Sequence, residues 1–128
     1  MIIALSASGS EKEFVLDTRL GRCPTYAFYN DEKDIWSFMP NPGAVQDSGA
    51  GIKAAQFLIE QNTDVLLTGE MGPKAARILN STKIKVYSLS EVPLKEAIKL
   101  YQEGRCKIIS EATVNSHTGI NSPRDNLE

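Results

Sequence analysis

The sequence has few of the side chains that ligate metals or form disulfides. Among 128 residues it has one histidine, His117, and two cysteines, Cys23 and Cys106, and it contains no CxxC pair. This pattern argues against a disulfide scaffold and suits a reducing cytosol. The spacing of these residues also supports no dedicated mononuclear metal site.

Excess charge and long apolar runs are also missing. The formal net charge is −2, so no basic field gathers phosphate backbones, which argues against a general nucleic-acid binder. No stretch approaches the roughly 18 apolar residues of a membrane span. The first ten residues lack the positively charged start of a signal peptide. We therefore expect a soluble, cytoplasmic protein that binds neither membranes nor nucleic acids.

What remains is an ordinary globular composition, 41% hydrophobic and 23% charged, with alternating strand and helix patterns. We predict one α/β domain over residues 1–109 and a polar, mobile tail over residues 110–128. Residues 106–109 either add a short strand or pack on the last helix. The other predicted strands are 2–5, 25–30, 35–40, 64–68 and 84–89, and the predicted helices are 48–62, 73–81 and 93–104. Ser48 or Gly49 could cap the first helix, Asn62 tolerates a left-handed position at its end, and Gly104 ends the third helix. Residues 8–24 are polar and contain glycine, which predicts a long loop.

The order of these elements predicts a mixed sheet. "TYAFYN" and "IWSFMP" are aromatic-rich runs separated by "DEKD", which is typical of a hairpin. The following alternation of helices and strands is typical of parallel strands joined by right-handed crossovers. Helices should therefore cover both faces of a largely parallel sheet that has one antiparallel strand from the hairpin.

The stretch "LLTGEMGPKAA", residues 66–76, predicts a tight strand-to-helix turn. Gly69 and Gly72 let the backbone approach a ligand closely, and Pro73 suits the first position of a helix. Helix starts at Pro73 and near Gly51 would present N–H groups to one cleft, which could hold an anion. The alternative is that glycine and proline serve only the turn.

A second stretch, "RLGRCP", precedes the hairpin. Arg19 and Arg22 could meet an anion, and Cys23 could supply a thiolate to a soft metal. A surface loop with a buried cysteine explains the same residues equally well. Lys53 and Lys74 lie early in their helices, where helix dipoles do not favour cations; a ligand or simple solvation explains them.

Three motifs together, "LGRCP", "GAGIKAAQFL" and "LLTGEMGPKAARIL", resemble the dinitrogenase iron-molybdenum cofactor biosynthesis family over about residues 1–104. The resemblance implies a three-layer α/β/α fold with a ribonuclease-H-like motif and a five-stranded mixed sheet. It implies a carrier of an anionic metal–sulfur cluster, of iron–sulfur or molybdenum-containing type, and not an enzyme. A cofactor-biosynthesis or acceptor protein would be the partner.

Carried over by motif, the implied cofactor-binding residues are Arg22, Cys23, Gly49, Gly51, Gly69, Gly72 and Pro73. Cys23 is the implied metal ligand, although the family commonly has a small residue, often alanine, at this position. A histidine ligand used by some nitrogenase carriers has no clear counterpart here, because His117 lies outside the matched region.

Three other functions compete with the carrier, one of them a structural or regulatory partner that binds no ligand. A two-metal nuclease would need clustered carboxylates, and the first strand, "IIALSAS", has none, so we reject that function. A binding module for a small anionic metabolite or nucleotide would use the same glycine turns and stays open.

Overall fold

The structure, a computed structural model, describes residues 1–10 and 14–109. The predicted tail, with His117, lies outside these residues. None of the described helices is long and apolar enough to cross a membrane. The strands are β1 (Ile2–Ala7), β2 (Thr25–Asn30), β3 (Ile35–Pro40), β4 (Val65–Thr68), β5 (Lys85–Ser88) and β6 (Lys107–Ile109). The helices are α1 (Ala50–Glu60), α2 (Pro73–Asn80) and α3 (Leu94–Gln102), and a short 3-10 helix covers Pro42–Val45.

The strands form one mixed sheet in the order β3-β2-β1-β4-β5-β6. β1, β4 and β5 are parallel, and the β2–β3 hairpin adds to β1 in antiparallel register. The predicted hairpin is therefore confirmed. The described residues contain six strands where the resemblance implied five, because β6 pairs antiparallel with β5. Residues 107–109 thus form the short strand that the sequence left open.

Alternating side chains of the central strands fill two separate cores, as expected for a sheet covered on both faces. Ala4, Leu66 and Val86 pack against α1 and α2 on one face. Ile3, Leu5 and Leu67 pack against α3 on the other face. The result is the three-layer α/β/α arrangement that the resemblance implied.

Glycine, asparagine and proline set the helix ends as the sequence predicts. Gly49 caps α1 with a left-handed φ of 75°, and Pro73 is the first residue of α2. Asn62, just beyond α1, has φ 59°, and Gly104, just beyond α3, has φ 72°. These residues tolerate the left-handed backbone that stops a helix.

The segment that follows β1 runs across the carboxyl ends of the parallel strands. Single bridges join Leu16 to Ala7, Val15 to Pro93 and Arg19 to Glu70. The sequence predicted only a long loop here, because residues 8–24 are polar and contain glycine. Its course brings residues 19–22 to the edge where ligands usually bind in an open α/β sheet.

Candidate anion-binding site

Three segments meet beyond the carboxyl ends of β1 and β4 and line one open cleft of about 410 Å³. They are the loop before the hairpin, the start of α1, and the turn from β4 into α2. The lining residues are 19–22, 49–52, 70 and 72–75. The cleft therefore unites the glycine-rich helix starts and the arginine loop that the sequence singled out.

Both helix N-termini at the cleft lack a side-chain cap. Gly49 and Gly72 are the N-cap residues, and neither has a side chain to bond the first-turn amides. The first intrahelical bonds run from Lys53 N to Gly49 O and from Ala76 N to Gly72 O, each at 3.0 Å. Helix geometry gives the preceding N–H groups no intrahelical acceptor, so each helix presents amide donors and a positive dipole end.

Small residues let the three segments approach each other. A Cβ atom on Gly21 would stand 2.8 Å from the backbone nitrogen of Gly51, which is closer than such atoms can come. A Cβ atom on Gly51 would stand 3.4 Å from the Cβ atom of Ala75 in α2. The Asn41 side chain donates to the carbonyls of Gly21 and Cys23 at 3.0 and 2.9 Å and so fixes the loop.

The charge of the lining favours an anion. Arg19, Arg22 and Lys74 supply three positive charges, and Glu70 supplies one negative charge, which leaves a formal charge of +2. All four residues are exposed. The remaining lining side chains are apolar, for example those of Leu20 and Ile52. The cleft thus offers hydrogen-bond donors to a negatively charged group and an apolar wall to soft, polarisable atoms.

The two arginines are held in different ways. The guanidinium of Arg22 donates to the carbonyls of Gln46 and Asp47, at 2.5 and 3.2 Å, and ties the loop to the segment before α1. Arg19 donates from Nε and Nη2 to the two carboxylate oxygens of Asp17, at 2.9 and 2.8 Å. Burial opposes ionisation of Asp17, but the hydrogen bonds from Arg19 outweigh it and hold the pKa of Asp17 below its ordinary value.

Cys23 lies in the hydrophobic core and outside the lining of the cleft. The residue is fully buried, and its sulfur is 3.6 Å from both the Leu20 carbonyl oxygen and the Asn41 Nδ2 atom. Burial raises the pKa of the thiol to about 12. The structure therefore places a protonated thiol in the core, which the sequence had offered as the alternative to a metal ligand.

Gly69 also lies outside the lining, although Gly72 and Pro73 of the same turn belong to it. A Cβ atom on Gly69 would stand 2.4 Å from the Cβ atom of Thr18. Gly69 thus makes room for the segment that crosses the sheet edge. Of the seven residues implied by the resemblance, the structure brings Arg22, Gly49, Gly51, Gly72 and Pro73 together in the cleft.

The described residues offer no ready-made metal site. Within residues 1–10 and 14–109, no three His, Cys, Asp or Glu side chains are grouped to hold a metal ion. The donors around the cleft are amide N–H and cationic groups, which bind the outer acceptor atoms of an anion. A cluster that already carries its own sulfide ligands fits this donor set, whereas a bare metal ion does not.

Sequence reasoning missed two residues that shape the cleft. Gly21 stood within the "LGRCP" motif without being assigned a role, and the close approach it permits depends on α1, which is distant in the sequence. Asp17 was not selected, although its spacing of two residues from Arg19 is compatible with a local ion pair. The sequence does not show that this pair lies at the cleft; the course of the segment after β1 does.

Comparison with known proteins agrees with this architecture. The apo form of the orange protein from Desulfovibrio gigas is 29% identical, with a TM-score of 0.84 over 88% of this chain and 96% of that chain. A Thermotoga protein described as a candidate NifB protein is 24% identical, with a TM-score of 0.77 over 88% of this chain and 97% of that chain. A candidate dinitrogenase from Methanocaldococcus jannaschii is 16% identical, with a TM-score of 0.62 over 87% and 96% of the two chains.

The last two similarities concern the fold alone. No curated protein sequence matches the chain significantly. Residues 1–104, however, match the sequence pattern of the family described as "Dinitrogenase iron-molybdenum cofactor". This match covers the sheet from β1 to β5, all three helices and every segment of the cleft. The chain therefore belongs to the dinitrogenase iron-molybdenum cofactor family.

Proposed function

We propose that this protein is a non-catalytic carrier for an anionic metal–sulfur cofactor or precursor, of iron–sulfur or iron–molybdenum type. One observation carries the proposal: two uncapped helix N-termini and three cationic side chains surround a single cleft. The family description names an iron-molybdenum cofactor, which supplies the chemical class of the cargo.

The donor set suits such a cargo. Terminal sulfides of a cluster accept hydrogen bonds from backbone amides and from guanidinium groups. The apolar walls formed by Leu20, Ile52 and Ala75 suit polarisable sulfur atoms. The cleft volume of about 410 Å³ lies within the range typical of ligand sites, roughly 300–1,000 Å³.

The lining also supports binding without catalysis. The side chains that line the cleft in the described part of the chain include no serine, threonine, cysteine or histidine. The common Ser–His and Cys–His pairs of nucleophile and base are therefore missing from the described lining, although Glu70 and Lys74 belong to residue types that also act in catalysis. A carrier needs reversible retention, which open geometry and exposed cations provide. We place this carrier in the cytoplasm, with a cofactor-biosynthesis or acceptor protein as its partner.

The proposal can be tested with tetrathiomolybdate, a coloured anion with terminal sulfides. The protein is incubated with it anaerobically and desalted, and the visible absorption and the metal content of the protein are then measured. We expect the wild type to retain the anion. Arg22→Gln and Lys74→Gln should each weaken binding by roughly two- to fivefold, as for exposed charged contacts.

Lys83→Gln is the matched control, because Lys83 is an exposed lysine just before β5, at the opposite edge of the sheet. It should leave retention unchanged. Wild-type protein that retains neither tetrathiomolybdate nor a cluster reconstituted from iron and sulfide would contradict the carrier function. Colourless protein that instead binds a nucleotide or another phosphate compound would support the anionic-metabolite function.

A further inference from the structure

The pair formed by Asp17 and Arg19 differs from an ordinary surface ion pair. Asp17 is only 8% exposed, whereas the side chain of Arg19 is 58% exposed and lines the cleft. One carboxylate oxygen accepts from both the backbone N and the Nε of Arg19, each at 2.9 Å, and the other accepts from Nη2 at 2.8 Å. A side-on bidentate contact of this kind fixes the plane of the guanidinium.

The carboxylate side of this pair is anchored to the sheet. Asp17 N donates to Ser6 O at 2.8 Å, and the Ser6 hydroxyl contacts Asp17 O at 2.5 Å. That hydroxyl also lies 2.8 Å from the hydroxyl of Thr68. Ser6 and Thr68 are fully buried, in β1 and β4. The orientation of Arg19 is therefore fixed, through Asp17, by hydrogen bonds to the two central strands β1 and β4.

The contact leaves part of Arg19 available for a ligand. Asp17 occupies Nε and one hydrogen of Nη2. The hydrogens on Nη1 and the outer hydrogen of Nη2 are directed away from the carboxylate, because a guanidinium is planar. A free arginine side chain would have to lose much of its rotamer freedom on binding an anion, and a held one has lost it already.

We propose that Asp17 is a positioning residue for anion binding, which acts by holding Arg19 in the orientation that meets the ligand. This inference rests on the proposed function and adds a residue that touches no ligand itself. It attributes a favourable effect on anion binding to a carboxylate beside the cleft, although negative charge there would by itself weaken the binding of an anion.

The direction in which anion affinity changes when Asp17 is replaced distinguishes positioning of Arg19 from a pure charge effect. If only the local charge mattered, removal of the negative charge of Asp17 would tighten anion binding. In Asp17→Asn the amide oxygen can still accept the bonds made to one carboxylate oxygen, but the amide NH₂ group faces a donor of Arg19 and cannot accept at the position of the other oxygen. If positioning dominates, Asp17→Asn weakens binding although the site becomes more positive.

Glu70→Gln is the matched control, because it removes the same charge from the cleft lining, whereas the ion pair of Arg19 in the described residues is with Asp17. Dissociation constants for tetrathiomolybdate are measured for both variants at one ionic strength. We expect Asp17→Asn to bind roughly three- to tenfold more weakly and Glu70→Gln to bind roughly twofold more tightly. Tighter binding by both variants would overturn the proposal.

A double-mutant cycle tests whether Asp17 acts through Arg19. In an Arg19→Gln background, Asp17→Asn should no longer weaken binding. An equal loss in both backgrounds would show that Asp17 acts on the cleft in another way and would overturn the proposal. Wild-type protein that does not bind tetrathiomolybdate is a different result, because it removes the proposed function as well.

Arg19→Lys keeps the positive charge but cannot form the side-on contact, so it tests the same claim should Asp17→Asn fail to fold. It should weaken binding nearly as much as Arg19→Gln. Wild-type affinity in Arg19→Lys would contradict positioning. Thermal unfolding of each variant confirms that the comparison concerns folded protein.

Discussion

Gly21 lies so close to Gly51 that a Cβ atom on Gly21 would stand 2.8 Å from the Gly51 backbone nitrogen. The neighbouring atoms are backbone atoms of Ala50 and Gly51, which cannot move aside as a flexible side chain can. This contact joins the arginine loop to the start of α1. An added side chain at Gly21 would therefore push the loop away from the start of α1.

We predict that Gly21→Ala lowers the free energy of unfolding by roughly 1–3 kcal/mol, because overpacking forces the backbone apart. Gly72→Ala is the matched control: a Cβ atom there meets nothing within 4 Å, and its φ of −75° suits any residue. Gly72 is the N-cap of α2, where alanine is less favourable than glycine, so the control should lose at most about 1 kcal/mol and less than Gly21→Ala. Urea denaturation measures both, and wild-type stability in Gly21→Ala would contradict the packing described.

Cys23 should be unreactive in the folded protein. Its pKa rises from 9.0 to about 12, which leaves roughly a thousandfold less thiolate at neutral pH, and the residue is fully buried. We predict that iodoacetamide labels partly exposed Cys106 first and labels Cys23 only in denaturant. Mass spectrometry of digested protein checks this. Rapid labelling of Cys23 without denaturant would show that the thiol reaches solvent.

The free energy of unfolding should depend on pH in a way that reflects the ionisation of Asp17 in its pair with Arg19. The pKa of Asp17 in the folded protein is lower than its ordinary value of 3.8, so folding favours the ionised form. Its stabilising contribution is complete above the unfolded pKa and is lost as the pH falls through the folded pKa.

The free energy of unfolding of the wild type should therefore exceed that of Asp17→Asn at pH 6, and the difference should shrink below about pH 4. Urea denaturation of both proteins from pH 3 to pH 7 measures it. A difference that stays constant over this range would mean that the carboxylate is not stabilised in its ionised form.

Much of the fold follows from patterns within short windows of the sequence. The hairpin strands, the proline at the start of α2 and the left-handed residues Asn62 and Gly104 depend on neighbours within a few positions, so the sequence predicts them. The short run at residues 106–109 is ambiguous, because three paired residues of β6 are too few to show strand periodicity.

The site is harder to predict, because its members meet through the fold. Gly69 and Gly72 look alike in the sequence, but only Gly72 faces the cleft, while Gly69 faces Thr18. Cys23 follows directly after Arg22, but the chain directs the arginine to the surface and the thiol to the core. These differences depend on the segment that crosses the sheet edge, which carries no periodic pattern.

The central claim is that the amides at the starts of α1 and α2 bind the anion. Its most direct test is a titration of ¹⁵N-labelled protein with tetrathiomolybdate under anaerobic conditions, followed by amide chemical shifts. We predict saturable shifts concentrated at Gly51, Ile52, Lys74 and Ala75. Saturable shifts concentrated elsewhere, for example at residues 82–84 on the opposite edge of the sheet, or no saturable shifts, would contradict the account.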